Sequence, residues 1–274
     1  MGKRVGVRLW LVVVGVCLWP LSALAAPILT AAGSGVNLGI TRLLAEAFMK
    51  SQPGTVIQVP GSIGTRGAIK AAAEGVITFG LISRPLKGDE LAMGFTVRPY
   101  GRVPIVVAVH PGIPEGGITT PELLDIYRGT KTAWRDGRTI IVQAREKSDS
   151  GFGVLQDRIP GFRAVYQESL AANRWSVYYT DQEANQAIAK TAQAIGVSDL
   201  GMIRTEGLAI KALKLDGVAP SPETLASGPY PLGRDLAFIY REKHLPEAGK
   251  AFLDFVRSDR AGRILKAQGY IPLK

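Results

Sequence analysis

The chain has 274 residues, 46% of them hydrophobic, and its 33 basic against 23 acidic side chains give a net charge of +10. That length can bury a core as one large domain or as two lobes. The basic balance suits an anionic partner, and the lack of a basic run interleaved with aromatics argues against nucleic acid. The single cysteine, Cys17, falls in the N-terminal leader. The mature chain is therefore expected to hold no disulfide, no thiolate metal site and no cysteine nucleophile.

The leader comes first. Lys3, Arg4 and Arg8 precede an apolar run from Leu9 to Trp19, then Pro20 and Ala23-Leu24-Ala25. This is the order of a secretory signal peptide, residues 1–25, cleaved after Ala25. A cut after Ala26 would leave Pro27 in first place. The run is short for a membrane span. Cys17 lies inside it, between Val16 and Leu18-Trp19, which disfavours lipid attachment. The expected location is the periplasm.

Strands and helices then alternate, the pattern of an α/β protein. Pro27–Ala32 reads as a strand, followed by the loop Gly33-Ser34-Gly35-Val36-Asn37. Ile40, Leu43, Leu44, Ala47 and Phe48 recur at helical spacing, and Pro53-Gly54 stops that helix. Thr55–Val59 reads as a strand, Gly61–Gly67 as a second glycine-rich loop, and Ala68–Glu74 as a helix ended by Gly75. Val76–Ile82 is an apolar strand that delivers Ser83 and Arg84 before Pro85. Arg102–Val109 is the next strand. Thr120-Pro121-Glu122 predicts a helix with Thr120 as its N-cap and Gly129 past its end. Thr139–Gln143 leads to Arg145 and the loop Glu146–Gly151, and Phe152 opens a helix. Further helices are expected around Arg163–Ala172 and Glu183–Ala192. Leu236–Tyr240 reads as a strand returning to the first half. A helical C-terminal region follows, with Phe252, Phe255, Val256, Ile264 and Leu265 as core candidates and Gly269 beyond its last helix.

Three glycine/hydroxyl loops thus stand between a strand and a helix: Gly33–Asn37, Gly61–Gly67 and Ser148–Gly151. The first amides of a helix lack intrahelical partners, and the helix dipole places partial positive charge there. Glycine allows close approach to the backbone, and hydroxyls add donors, so such a loop can replace the hydration shell of an anion. In α/β sheets these loops gather at the carboxyl edge. Arg84 and Arg145, each at the end of a predicted strand, suit the oxygens of a phosphate-type anion.

The segments Gly64-Thr65-Arg66-Gly67-Ala68-Ile69-Lys70-Ala71 and Phe79-Gly80-Leu81-Ile82-Ser83-Arg84 carry a resemblance to a known family. So do Trp134-Arg135-Asp136-Gly137, Arg145 with Ser150-Gly151, and Ala194-Ile195-Gly196-Val197. Gly228-Pro229-Tyr230-Pro231-Leu232-Gly233-Arg234 and Gly269-Tyr270-Ile271-Pro272 complete the set. In this order and spacing the chain resembles the phosphate-type substrate-binding proteins of ABC importers, with the two-lobed type II periplasmic binding protein fold and its two crossover strands. The resemblance implies lobes of residues 26–105 plus 233–274 and 106–232, joined near Arg102–Val109 and Tyr230–Tyr240. It implies capture of a small tetrahedral oxyanion, most naturally inorganic phosphate, for an importer permease, by a monomer with no cofactor and no catalysis. Its site roles fall on Ser34, Gly35, Val36, Thr65 (with Ser62 as the alternative hydroxyl), Ser83, Arg84, Arg145, Ser150, Gly151 and Phe152.

Two positions depart from the family pattern. Phosphate-selective members often have an aspartate where this chain has Arg84, and arginine cannot accept the proton of hydrogen phosphate. Phe152 replaces a hydroxyl residue. Asp149 or Asp181 is a candidate replacement acceptor. Two other functions stay open at this point. A sensor or receptor subunit would use the same site. A phosphate-ester hydrolase would need an activated nucleophile or a metal, and the two histidines, His110 and His244, stand in no catalytic motif.

Overall fold

The computed structural model describes Gly2 and residues 28–273. The leader, Cys17 and the cleavage position after Ala25 lie outside the described residues. No helix among those described is long and apolar enough to cross a membrane.

The first half of the chain opens with β1 (Ile28–Gly33), α1 (Gly35–Met49), β2 (Val56–Gln58), α2 (Gly64–Ala73), β3 (Phe79–Ile82) and the short α3 (Gly88–Leu91). A long strand, β4 (Thr96–Val109), leads out of it. The second half comprises β5 (Gly117–Ile118), α4 (Thr120–Arg128), β6 (Ile141–Arg145), α5 (Ser150–Arg158), α6 (Phe162–Ala171), β7 (Ser176–Tyr178), α7 (Asp181–Lys190), β8 (Ala194–Asp199), α8 (Leu200–Thr205), β9 (Lys211–Ala212), β10 (Lys214–Leu215) and α9 (Pro222–Ser227). The chain returns through β11 (Gly233–Tyr240) and ends with α10 (Glu247–Val256), α11 (Asp259–Ala267) and β12 (Ile271–Pro272).

One sheet runs β2-β1-β3-β11-β4-β8-β6-β7. β1 is parallel to β2 and β3, and β6 is parallel to β7 and β8, as crossover helices require. The middle is antiparallel. β4 pairs with β11 from Thr96 to Pro104 and then with β8 from Ile105 to Val109. A single strand therefore belongs to both halves. Two hydrophobic cores flank the changeover. One gathers Leu29, Phe48, Phe79, Tyr100, Val103, Leu236, Phe238 and Phe252; the other gathers Ile105, Val107, Tyr127, Phe152, Phe162, Tyr166, Tyr230 and Leu232. This is the expected α/β architecture, a type II periplasmic binding protein fold of two lobes crossed by two strands.

Several boundaries differ from the sequence reading. Thr119, not Thr120, caps α4: its hydroxyl accepts from the Glu122 amide while the Glu122 carboxylate takes the Thr119 amide. Thr120 is drawn off by Asp216, which accepts from both its amide and its hydroxyl. Gly129 does close the helix in the left-handed region, at φ 85°. β3 begins only at Phe79, because Val76 is exposed and follows Gly75 at φ 72°. Three helices start two to four residues earlier than their apolar spacing suggests. α2 starts at Gly64, α5 at Ser150 and α7 at Asp181. Polar and glycine residues in a first turn read as loop, and in this molecule those first turns build the site.

Candidate functional site

Gly33 sets the geometry of the first loop. A Cβ there would lie 2.2 Å from the Leu81 carbonyl oxygen and 2.8 Å from the Ala68 Cβ, so only glycine lets β1 run this close to β3. The next residue, Ser34, donates its amide to that same carbonyl at 2.9 Å. Its side chain does not cap α1. Instead its hydroxyl meets the Ser83 hydroxyl at 2.8 Å. The Gly35 and Val36 amides lie in the first turn of α1, where no intrahelical acceptor exists.

Ser83 is the hub. It sits just past β3 and is almost fully buried. Its hydroxyl lies 2.8 Å from that of Ser34, 2.8 Å from that of Ser150 and 3.4 Å from that of Thr65. The Ser150 contact crosses the boundary between the halves. Ser62, the alternative to Thr65, is engaged within its own loop, donating to the Gly33 carbonyl and accepting from the Gly64 amide.

Two guanidiniums complete the arrangement. Arg145, at the end of β6, is buried, and Nε and Nη2 donate to Asp149 Oδ2 at 3.1 and 2.9 Å, with Nη1 on the Tyr178 carbonyl. The Tyr166 hydroxyl, held between the Arg145 amide and carbonyl, fixes the backbone beneath it. Arg234, at the start of β11, donates Nη1 to Ser150 Oγ at 2.7 Å, Nε to Asp199 Oδ1 at 3.1 Å and Nη2 to Asp199 Oδ2. Burial works against its charge, yet Asp199 and Asp181 outweigh that and raise its pKa further. Burial lifts the Asp199 carboxyl to about 6 against the pull of Arg234. It also lifts Asp181, with Asp149 adding to the effect and both arginines opposing it. Arg145, Asp149, Ser150, Asp181 and Arg234 line a cleft of about 1750 Å³ that also exposes Arg66, Lys87 and Lys147, with Asp199 enclosed behind them.

Of the residues singled out from the sequence, Ser34, Thr65, Ser83, Arg145 and Ser150 come together on this cleft. Three others behave differently. Arg84 lines the wall, but its Nη1 and Nη2 each donate to Glu90 at 2.7 Å, and Nη1 also reaches the Pro85 carbonyl. Hydrogen bonding from Arg84 holds the Glu90 carboxyl down to about 2. Its terminal nitrogens are thus directed to the chain's own carboxylate. Phe152 is a core residue: its ring stacks on Tyr166 at 4.5 Å and meets Tyr127 edge-on. Its amide donates to Asp149 Oδ1 at 2.9 Å, so this first turn is capped from within. Gly151 is buried against Asp149 and Arg234, with its hydrogen facing them at contact distance.

Sequence reasoning missed Arg234 and Asp199 as members of the cluster. Arg234 stood in the quoted Gly-Pro-Tyr-Pro-Leu-Gly-Arg segment at the start of the returning strand, a position equivalent to that of Arg145 at a strand end. Asp199 had a weaker signal, an acidic residue that follows Ser198 at the end of the mainly apolar β8. His110 and His244 do not line the cleft. The arrangement can hold an oxyanion by hydroxyls, helix amides and guanidiniums drawn from both halves. It presents no paired nucleophile and base.

A model of the PBP superfamily domain matches residues 21–260. The phosphate-binding protein PstS of Bacillus subtilis (strain 168) is 26% identical over 255 residues, covering 89% of this chain and 80% of its own length. Protein SphX of Synechococcus elongatus is 24% identical over 296 residues, covering 99% of this chain and 86% of its own. Among solved structures, a phosphate ABC transporter substrate-binding protein from Clostridium perfringens, with bound phosphate, has a TM-score of 0.79 at 28% identity and covers 90% of this chain and 100% of that one. An ABC-type phosphate transport receptor from Vibrio cholerae shares the fold, with a TM-score of 0.63 at 21% identity over 89% of this chain and 99% of that one.

Proposed function

The chain belongs to the PBP superfamily, and from that premise we propose that it captures inorganic phosphate in the periplasm and delivers it to an ABC importer permease, with no bond chemistry of its own. The observation that carries this reading is the hydroxyl row Ser34–Ser83–Ser150 ending on Arg234, assembled from both halves of the molecule. Each hydroxyl there can turn its hydrogen toward an anion, and Arg145 and Arg234 supply charge-assisted donors. The first lobe, 26–105 plus 233–274, offers Ser34, the leading amides of α1, Thr65 and Ser83. The second, 106–232, closes Arg145 and Ser150 onto them. The ligand stabilises the closed arrangement because that is the form in which it touches both lobes. A phosphate-bound relative at 28% identity and full coverage of its own chain supports the choice of anion.

The test is calorimetric and thermal titration with orthophosphate and sulfate of protein that has been unfolded and refolded to strip any carried ligand. Saturable phosphate binding with a rise in Tm is expected, since a ligand selective for the native state stabilises it. No response to millimolar orthophosphate would overturn the reading.

A further inference from the structure

The first turn of α7 reaches across the cleft onto the start of α1. Gln182 Nε2 donates to the Gly35 carbonyl at 3.2 Å and to Glu206 Oε1 at 3.1 Å. Beside it, the Asp181 carboxylate presses on Gly35. A Cβ at that glycine would lie 2.5 Å from Asp181 Oδ2 and 2.6 Å from Gln182 Oε1. Gly35 opens α1, whose leading amides have no partner in the helix. The same carboxylate faces two guanidiniums, with Arg145 Nη2 at 3.7 Å and Arg234 Nη2 at 3.9 Å from Asp181 Oδ1. It is mostly buried and, among the described residues, accepts no hydrogen bond from another side chain. The other two carboxylates of the cluster are differently placed, because Asp149 is bonded to Arg145 and to the Phe152 amide and Asp199 is bonded to Arg234.

From this geometry we propose that Asp181 is an internal competitor for the oxyanion: its carboxylate stands where ligand oxygens would stand, and the bound anion displaces it. The proposal rests on the anion-binding reading above and deepens it by assigning an affinity-setting residue outside the donor set. A carboxylate is itself a planar oxyanion. Held between a helix N-terminus and two guanidiniums, it takes up the attraction offered to the ligand and repels the ligand's charge. With all three carboxylates ionised, the two guanidiniums leave the cluster net negative, and Asp181 is the member that tips it. Its competition weakens as pH falls, since burial and the neighbouring Asp149 raise its pKa. The charged groups around it are Arg145 and Asp149 at the β6–α5 turn, Arg234 on β11, Asp199 on β8 and, across Gln182, Glu206 at the end of α8.

The experiment compares the mature wild-type chain with Asp181→Asn and Asp181→Ser by calorimetry at pH 8, using orthophosphate and sulfate. The second, smaller substitution covers the case in which one variant folds poorly. Both variants are expected to bind phosphate about tenfold more tightly, the scale of removing one nearby like charge. Sulfate should change in the same direction, because the effect does not depend on a ligand proton. Unchanged or weaker phosphate binding in the variants, beside intact wild-type binding, overturns the proposal. Weaker phosphate binding with unaltered sulfate binding would instead make Asp181 an acceptor for the ligand's proton. Failure of all three proteins to bind any oxyanion overturns the anion-binding reading and the proposal together.

Discussion

The first turns of α1 and α5 carry similar sequence, Ser34-Gly35 and Ser150-Gly151, and face each other across the cleft with opposite electrostatics. At α1 no side chain caps the helix, and Ser34 turns its hydroxyl to Ser83. The Gly35 and Val36 amides have no intrahelical acceptor, and the Ser34 and Ser83 hydroxyls meet with no charged residue of that lobe bonded to them. At α5 the Asp149 side chain caps the turn and also holds Arg145. Here the Phe152 amide is taken by the Asp149 side chain, and a guanidinium and a hydroxyl stand beside the leading Ser150 and Gly151 amides. A glycine/serine turn before a helix thus presents its leading amides with no carboxylate beside them when the side-chain cap is missing. When an aspartate precedes the serine, the same motif becomes a clamp for an arginine.

That contrast can be broken by substitution, and the largest effect should come from the buried charges. Arg234→Met strands Asp199 in a buried site without its counter-charge. Urea unfolding should show a loss of about 3–5 kcal/mol, with phosphate binding lost as well. Next is Arg145→Ala, which removes a buried charge-assisted donor. Calorimetry should show phosphate affinity weakened by about 2–5 kcal/mol. Among the hydroxyls, Ser83→Ala removes the hub and should cost about 1 kcal/mol in affinity, with a small change in Tm.

The pH response separates the lobes further. Asp199 titrates near 6 in the folded chain and near 3.9 when unfolded. Between those values the native state holds a proton that the unfolded state has lost. Stability should therefore fall as pH rises from about 4 to 6, and Asp199→Asn should remove that slope in thermal melts. Glu90, held down to about 2, acts in the opposite sense and at lower pH, losing its contribution as pH falls below its unfolded value. The smallest effect on binding is expected from Arg84→Gln: its terminal nitrogens serve Glu90, so calorimetry should show phosphate affinity changed less than by any substitution above, with the larger cost in stability.

The sequence was most informative where chemistry is local. Alternating strands and helices, the glycine at the close approach of β1 and β3, and hydroxyls or arginine at strand ends all leave short-range patterns. Gly33, Ser34, Ser83, Arg145 and Ser150 were visible in this way. The remainder depends on contacts that spacing does not encode. Arg234 meets Asp199 and Ser150 only because β11 returns beside β4. Asp181 reaches Gly35 only because α7 starts at residue 181, two positions before its apolar spacing suggests. Arg84 illustrates a nearer miss. Its partner Glu90 lies six residues on, inside the brief helix α3, too short to register as periodicity. The resemblance puts Phe152 among the ligand contacts at a hydroxyl position, whereas its ring packs in the aromatic cluster of Tyr127, Phe162 and Tyr166.

The changeover on β4 has a consequence for how such a molecule can be rebuilt. The second half leaves the first at Ile105 and rejoins it at Leu232, and those two residues are themselves joined, the Ile105 amide donating to the Leu232 carbonyl at 3.0 Å. Entry and exit share one doorway. A foreign half with the same doorway could be spliced in by two adjacent joints, leaving the host's own strands in register.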